Sequence, residues 1–172
     1  GKLNSWVDST IDNTARRYYA GDLLGNLWRF DIDGIVAPNN AALRLAYLRA
    51  GSPAVAQPIT TQPALGIVDY AGSQFPVVYV GTGQLLGLSD LSSTAVQSVY
   101  AIKDPLTDTP LGDAHASSTL VTQTLSEAGP NLPRTVTNNA VDWSAKNGWK
   151  VDFIGAGERV NVDMQVIFNS LT

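Results

Sequence analysis

Acyl transfer or hydrolysis needs a nucleophile, a base to activate it and a group that orients the base. The one histidine, His115, sits in GDAHASS. This polar stretch offers neither an orienting partner nor a nucleophile, so His115 reads as a solvent-facing loop residue. GLSDL at 87–91 lacks the second glycine of a GxSxG nucleophile elbow. GTG at 81–83 is a lone GxG with no helix after it, and reads as a strand-end turn, not a phosphate cradle. Asp152, Glu158 and Asp163 are candidate carboxylates for glycoside hydrolysis. Asp152 and Asp163, however, occupy the polar phases of their segments and read as solvent-facing charges. Trp6, Trp28, Trp143 and Trp149 have the ring faces to stack a sugar or a cation. Trp28 and Trp149 follow the apolar phase and are expected in the core, while Trp6 and Trp143 are left open. Without cysteine there is no disulfide, thiolate nucleophile or Cys-ligated metal. No catalytic residue is assigned, and the chain is expected not to be an enzyme.

The elements that would position these residues are short. Of the 172 residues 44% are hydrophobic and only 15% charged, which excludes general disorder. Fifteen glycines and nine prolines are spread along the whole length, which suits many short strands better than a few long helices. The fold class is therefore all-β with long loops and minor helix. A net charge of −4 with scattered Lys and Arg argues against nucleic-acid binding. No apolar run reaches the ~20 residues of a membrane-spanning helix, and GKLNSWVD has no signal-peptide layout. Export is expected to be directed by sequence outside the chain.

Residues 18–34, YYAGDLLGNLWRFDIDG, predict a tight hairpin turning at Gly25 and Asn26. Trp28, Phe30 and Ile32 then share one face, and Leu27, Arg29 and Asp31 the other. Residues 39–50, NNAALRLAYLRA, fit a short helix or a strand. Pro53, Pro58 and Pro63 make 51–66 an extended linking stretch. PVVYVGTG at 76–83 predicts a strand buried on both faces, and it is followed by VQSVYAIK at 96–103 with Val96, Ser98, Tyr100 and Ile102 on one face. Between them LLGLSDLSSTA is a long hairpin loop or one helical turn. Residues 105–142 read as a surface excursion, with one edge strand in LVTQTL at 120–125. Near the end, Trp149, Val151 and Phe153 share a phase. Beyond a GAG turn Val160, Val162, Met164, Val166 and Phe168 share another, against Asn161, Asp163, Gln165 and Asn169. This predicts a half-buried antiparallel pair.

Residues 18–31 and 79–104 echo one another in the order aromatic, small, Gly, turn, aromatic, Asp, about 60 residues apart. Such repeats predict propeller blades lengthened by loops. The count is about two and a half to three blades, whereas propellers close with about four or more. The expectation is a single domain over 1–172, a fragment of a larger β-propeller.

YAGDLLGNLWRFD (19–31), QPITTQP (57–63), VYVGTGQLLGLSDLSSTAVQSVYAIKD (78–104), GWKVDF (148–153) and GERV (157–160) follow one another along the chain. Together they resemble the C-terminal domain of the type IV pilus tip-associated adhesin family, the PilY/PilC type. The resemblance covers nearly the whole chain in order. It implies a quinoprotein-like β-propeller that is exported to the outer membrane, pilus tip and cell surface. It implies a role in pilus assembly and extension and in adhesion. The implied partners are the remaining blades of the full-length protein, minor pilins, and host or abiotic surfaces.

The resemblance also implies an EF-hand-type calcium loop before the hairpin, with oxygen ligands at loop positions 1, 3, 5, 7 and 9 and Gly at 6. Counting back from Tyr19, these fall on Asp8, Thr10, Asp12, Thr14 and Arg16, with Asn13 at the Gly place. Thr10 keeps an oxygen, and Asn13 tolerates the left-handed region. Arg16 replaces a carboxylate with a cation that cannot be deprotonated. At ~4 Å and an effective dielectric of ~20 this opposes a bound ion by about 4 kcal/mol per unit charge. The loop is thus degenerate. Arg16 is expected to stand in for the cation by pairing with Asp12 or Asp8, with calcium weak at best and no other cofactor implied. Asp8 and Asp12 as unrelated solvated acids, and a weak calcium site, are the other readings these residues leave open.

Two functions of different class compete with a non-enzymatic pilus module. GNLWRFD also resembles the repeat of quinoprotein dehydrogenases, against which stand the missing Cys, the degenerate loop and the lack of a catalytic Asp for a quinone. A carbohydrate-binding, lectin-like propeller is the other. Open sheet edges pair readily, so the isolated chain is expected to self-associate.

Overall fold

The computed structural model describes residues 1–9, 11–129, 132–167 and 170–171. Thr10 of the calcium reading, and Phe168 and Asn169 of the last alternating segment, lie outside the described residues. Period-two alternation and β-branched or aromatic residues yield strands throughout. The first group comprises β1 (Leu3–Val7), β2 (Ala15–Gly21), β3 (Asn26–Asp31) and β4 (Ala42–Tyr47). These form one antiparallel sheet in the order β1-β2-β3-β4. A two-stranded ribbon follows, β5 (Arg49–Ala50) with β6 (Val55–Ala56). Next come β7 (Ala64–Tyr70), β8 (Ser73–Gly81), a 3-10 turn (Leu88–Ser92), β9 (Ser98–Lys103), β10 (Leu120–Gln123), β11 (Leu125–Glu127), β12 (Arg134–Val136) and β13 (Gly148–Asp152). The second sheet runs β10-β13-β9-β8-β7, and all its pairs are antiparallel except β10 with β13. β11 pairs with β12, and β14 (Val166–Ile167) with β15 (Ser170–Leu171). The sheets succeed one another as open, mostly antiparallel stacks that do not close into a ring, the layout of neighbouring blades in a partial propeller.

Successive residues of β8 and β9 point to opposite faces, so the second sheet carries apolar groups on both. Val78, Val80, Tyr100 and Ile102 join Tyr19, Leu27, Leu45, Leu48 and Ile59 in the main core between the sheets. Each large side chain buried there is stabilising by about 1.5–3 kcal/mol. Val77 and Ala101 face the other way and pack with Trp143. This is the doubly buried strand expected at 76–83.

The 18–34 hairpin forms as expected, with Tyr18 opposite Phe30 and Gly25 at φ 76°. Its faces are the reverse of the apolar expectation. Leu27, Arg29 and Asp31 are buried, Trp28 and Phe30 are half-buried, and Ile32 is 50% exposed. The reason is tertiary, because the inward face meets a carboxylate, Asp104, that Arg29 neutralises. Within residues 39–50 the chain is strand at Ala42–Tyr47 and Arg49–Ala50, and not helix. A register shift at Leu27/Trp28 lets Leu43, Leu45, Ala46 and Leu48 all reach the interior. The linking stretch gives way to β7 at Ala64, before position 66.

The antiparallel pair predicted near the C-terminus does not form. β13 lies inside the second sheet, between β9 and β10. Residues 153–165 hold no strand, and Val162 is 69% exposed. The segment instead crosses the end of β8, where the Val160 amide donates to the Thr82 carbonyl at 2.9 Å. Gly81 and Gly83 make room for it: a Cβ on Gly81 would lie 2.6 Å from the Val160 side chain.

Candidate functional site

The turn between β1 and β2 is built locally. Ser9 Oγ accepts the amides of Ile11 (3.2 Å) and Asp12 (3.4 Å), and Asn13 takes φ 51° at the turn's tightest point. From β2 the Arg16 guanidinium reaches back to Asp12 at 2.9 Å, to Asp33 at 3.4 Å and to Asp8 at 4.0 Å. Asp8 also accepts Trp6 Nε1 at 2.6 Å and meets Arg17 at 3.5 Å. Thr14 Oγ1 donates to Asp12. Of the calcium-loop positions, Asp8, Asp12, Thr14 and Arg16 thus lie together, with the guanidinium among the carboxylates. Asp33 was not singled out from sequence. It belongs here because the hairpin register sets Arg17 opposite Asp31, bringing the DIDG turn beside Arg16.

A second polar assembly joins the sheets from inside. The fully buried Arg29 pairs with the fully buried Asp104. The guanidinium also donates to the carbonyls of Ala37 and Thr107, the latter at 2.6 Å. Tyr19 donates its hydroxyl to Asp104 at 2.6 Å, and the Leu106 amide caps the same carboxylate at 2.8 Å. Burial, reinforced by the Asp104 charge, pushes the Tyr19 phenol far above its ordinary value, so it holds its proton at any physiological pH. This is a structural pin.

The third assembly corrects two expectations. His115 is not a solvent-facing residue without a partner: its side chain is 18% exposed, and Nε2 lies 3.0 and 3.2 Å from the two Asp152 oxygens. Nor is Asp152 a free surface charge, since it also accepts Ser98 Oγ at 2.6 Å. Gln57 Nε2 donates to Ser98 Oγ at 2.7 Å, and Tyr100 donates to Gln57 Oε1. Burial would raise the Asp152 carboxyl. The hydrogen bonds from His115 and Ser98 outweigh it and hold the group below the usual carboxylate range. Serine, histidine and aspartate meet here in the wrong order for nucleophilic catalysis. Ser98 gives its proton to the carboxylate and not to the imidazole, and it is fully buried.

The other candidates are likewise engaged. Glu158 pairs with Arg134, and Asp163 with Lys2. The Thr82 and Gly83 amides donate to Ser98 and Pro58 carbonyls at 2.9 and 2.7 Å, so GTG is a strand-end turn. Trp6 and Trp143 are buried, whereas Trp28 and Trp149 are half-buried, the reverse of the core expected for the last two. Trp28 Nε1 donates to Asp22 at 3.0 Å.

The chain is similar to known proteins along most of its length. It is 26% identical over 160 residues to the type IV pilus biogenesis factor PilY1 homolog of Xylella fastidiosa, covering 88% of this chain and 11% of that protein. It is 28% identical over 191 residues to the type IV pilus biogenesis factor PilY1 of Pseudomonas aeruginosa, covering 88% of this chain and 16% of that one. The chain therefore spans well under a fifth of these relatives' length. The crystal structure of the Pseudomonas aeruginosa PilY1 C-terminal domain superposes with a TM-score of 0.75 at 25% identity, over 98% of this chain and 43% of that one. The PilY1 beta-propeller domain family model matches residues 3–132, and with the two open blade-like sheets this shows that the chain belongs to the PilY1 β-propeller domain family.

Proposed function

We propose that the chain is a non-enzymatic structural module of a type IV pilus-associated surface protein, supporting pilus assembly and extension and contributing to adhesion. The observation that carries the reading is the family match over 3–132, joined to a structural likeness over 98% of the chain. The module acts at the cell surface or pilus tip, packed against the remaining blades of a longer polypeptide and presented to minor pilins and to host or abiotic surfaces. The engaged state of Ser98, Asp152 and His115 supports a scaffold and not a reactive centre. No helix among the described residues is long and apolar enough to cross a membrane, a fact that does not bear on β-barrels. Deleting these 172 residues in frame from the parent gene tests the reading. Sheared surface pili should fall while pilin synthesis continues, and unchanged piliation would overturn the role.

In the same reading the β1–β2 turn is a metal-free form of the family's calcium loop. A guanidinium 2.9 Å from Asp12 and 4.0 Å from Asp8 places a fixed positive charge where a divalent ion would need oxygen donors. These residues do not fit calcium. Titration calorimetry with calcium at ~1 mM and above is expected to give no saturable heat, and Arg16→Asp is expected to introduce it. Saturable heat from the unaltered chain would end this reading of the loop.

A further inference from the structure

The chain carries eleven lysines and arginines, and all but two are engaged. Lys2, Arg16, Arg17, Arg29 and Arg134 reach carboxylates. Lys103, Lys146, Lys150 and Arg159 donate to backbone carbonyls. Arg44 and Arg49 do neither: among the described residues no carboxylate and no hydrogen-bond acceptor meets either guanidinium. Both lie instead over one ring, with their guanidinium carbons 5.2 and 5.3 Å from the Tyr47 centroid.

A guanidinium set on an aromatic face is ordered by the ring and keeps its N–H edge free. Tyr47 is itself fixed, since its amide donates to the Gly112 carbonyl and its carbonyl accepts the Ala114 amide, both at 3.0 Å. Arg44 and Arg49 are exposed, and Tyr47 is half-buried. The two charges can be no further apart than twice the longer ring distance, so they repel one another. A chain with fifteen Asp and Glu residues nevertheless supplies neither with a counter-ion. Asp22 precedes Asn26, the register partner of Tyr47, and Asp113 forms a bridge with Tyr47. Both carboxylates are already taken. Asp22 accepts the Asn26 amide and Trp28 Nε1, and Asp113 accepts the amides of His115 and Ala116.

The chemistry of the pair selects its ligand. Ordered guanidinium forks with free N–H groups are complementary to carboxylates. Side chains at i and i+2 of an extended peptide share a face about 7 Å apart, a span that two guanidinia on one ring can meet. A nucleic acid fits poorly, because its affinity comes from many phosphate contacts, and the other cations are spent within a molecule of net charge −4. We infer that Arg44, Tyr47 and Arg49 form a docking site for an acidic peptide segment of a partner protein, with alternate carboxylates of the segment on the two guanidinia. The site goes beyond the pilus reading and does not depend on it.

The test is an NMR titration of the isotope-labelled 172-residue chain at low ionic strength. The probe is an acetylated Glu-Ser-Glu-Ser peptide amide, and its neutral counterpart is Gln-Ser-Gln-Ser. The acidic peptide should shift the signals of residues 44–49 saturably, with a dissociation constant of about 1 mM for so small a ligand. Arg44→Gln and Arg49→Gln, at exposed positions where folding survives, should each weaken binding ~3-fold, and the double variant ~10-fold. Lys2→Gln combined with Lys146→Gln removes the same charge elsewhere and should weaken it less than ~2-fold. Absence of saturable shifts, equal binding of the neutral peptide, equal loss in the two double variants, or tighter binding of inorganic phosphate at the same residues would overturn the assignment.

Discussion

Arg29 lies in the polar phase of its strand and yet is fully buried, because Asp104 and two backbone carbonyls await it across the sheets. Removing one member strands the other charge in the interior. Arg29→Leu is therefore expected to cost about 3–5 kcal/mol, read as a lower urea midpoint. Adding Asp104→Leu should recover much of that loss, and a double variant no more stable than the single one would contradict the pairing. The titratable groups set a window of pH stability. For Asp22, Asp31 and Asp152, burial raises the carboxyl but hydrogen bonds prevail and lower it. Their contribution is present above the unfolded value of about 4 and lost as pH falls through the depressed folded values. Tyr19 and Tyr100 are shifted upward, chiefly by burial. Their contribution is full below about pH 10 and declines above it, as the unfolded state ionises and the folded state does not. Thermal melts across pH should show a plateau that falls away at both ends. A midpoint still rising between pH 10 and 11 would contradict the tyrosine assignment.

At the scale of elements, β13 is the piece that sequence alternation identified and then mispaired. Gly148 opens it at φ 121°, and a Cβ there would lie 1.9 Å from the Ala101 carbonyl oxygen. The strand can enter the sheet between β9 and β10 only because that Cβ is missing. Gly148→Ala is expected to destabilise by at least ~1–3 kcal/mol from backbone strain alone. Hydrogen exchange should show β10 and β13 losing protection before β2 and β3, and uniform loss would argue that the sheets open as one unit. The 2-3 hairpin is different. Its turn glycine and its alternation are local, so turn and strands formed as read, whereas the choice of buried face was made by Asp104 across the sheets.

For the whole molecule, two open sheets leave β1, β4, β7 and β10 at edges. Exposed edges recruit further strands, and the isolated chain is expected to self-associate with rising concentration. Light scattering that stays at monomer mass in concentrated solution would count against this. The sequence alone determined the strand-rich class, the 18–34 hairpin, the doubly buried strand at 76–83 and the succession of family motifs, because period-two alternation, turn glycines and contiguous motifs are properties of neighbours along a chain. The family resemblance also brought Asp8, Asp12 and Arg16 to notice, as positions of the calcium loop it implies. Only the tertiary structure decided which face of β3 is buried, where β13 pairs, that His115 meets Asp152, and that Asp33 joins Arg16. Each depends on groups 17 to 75 residues apart, whose meeting is set by sheet register and by the buried carboxylate of Asp104, and no local pattern encodes either.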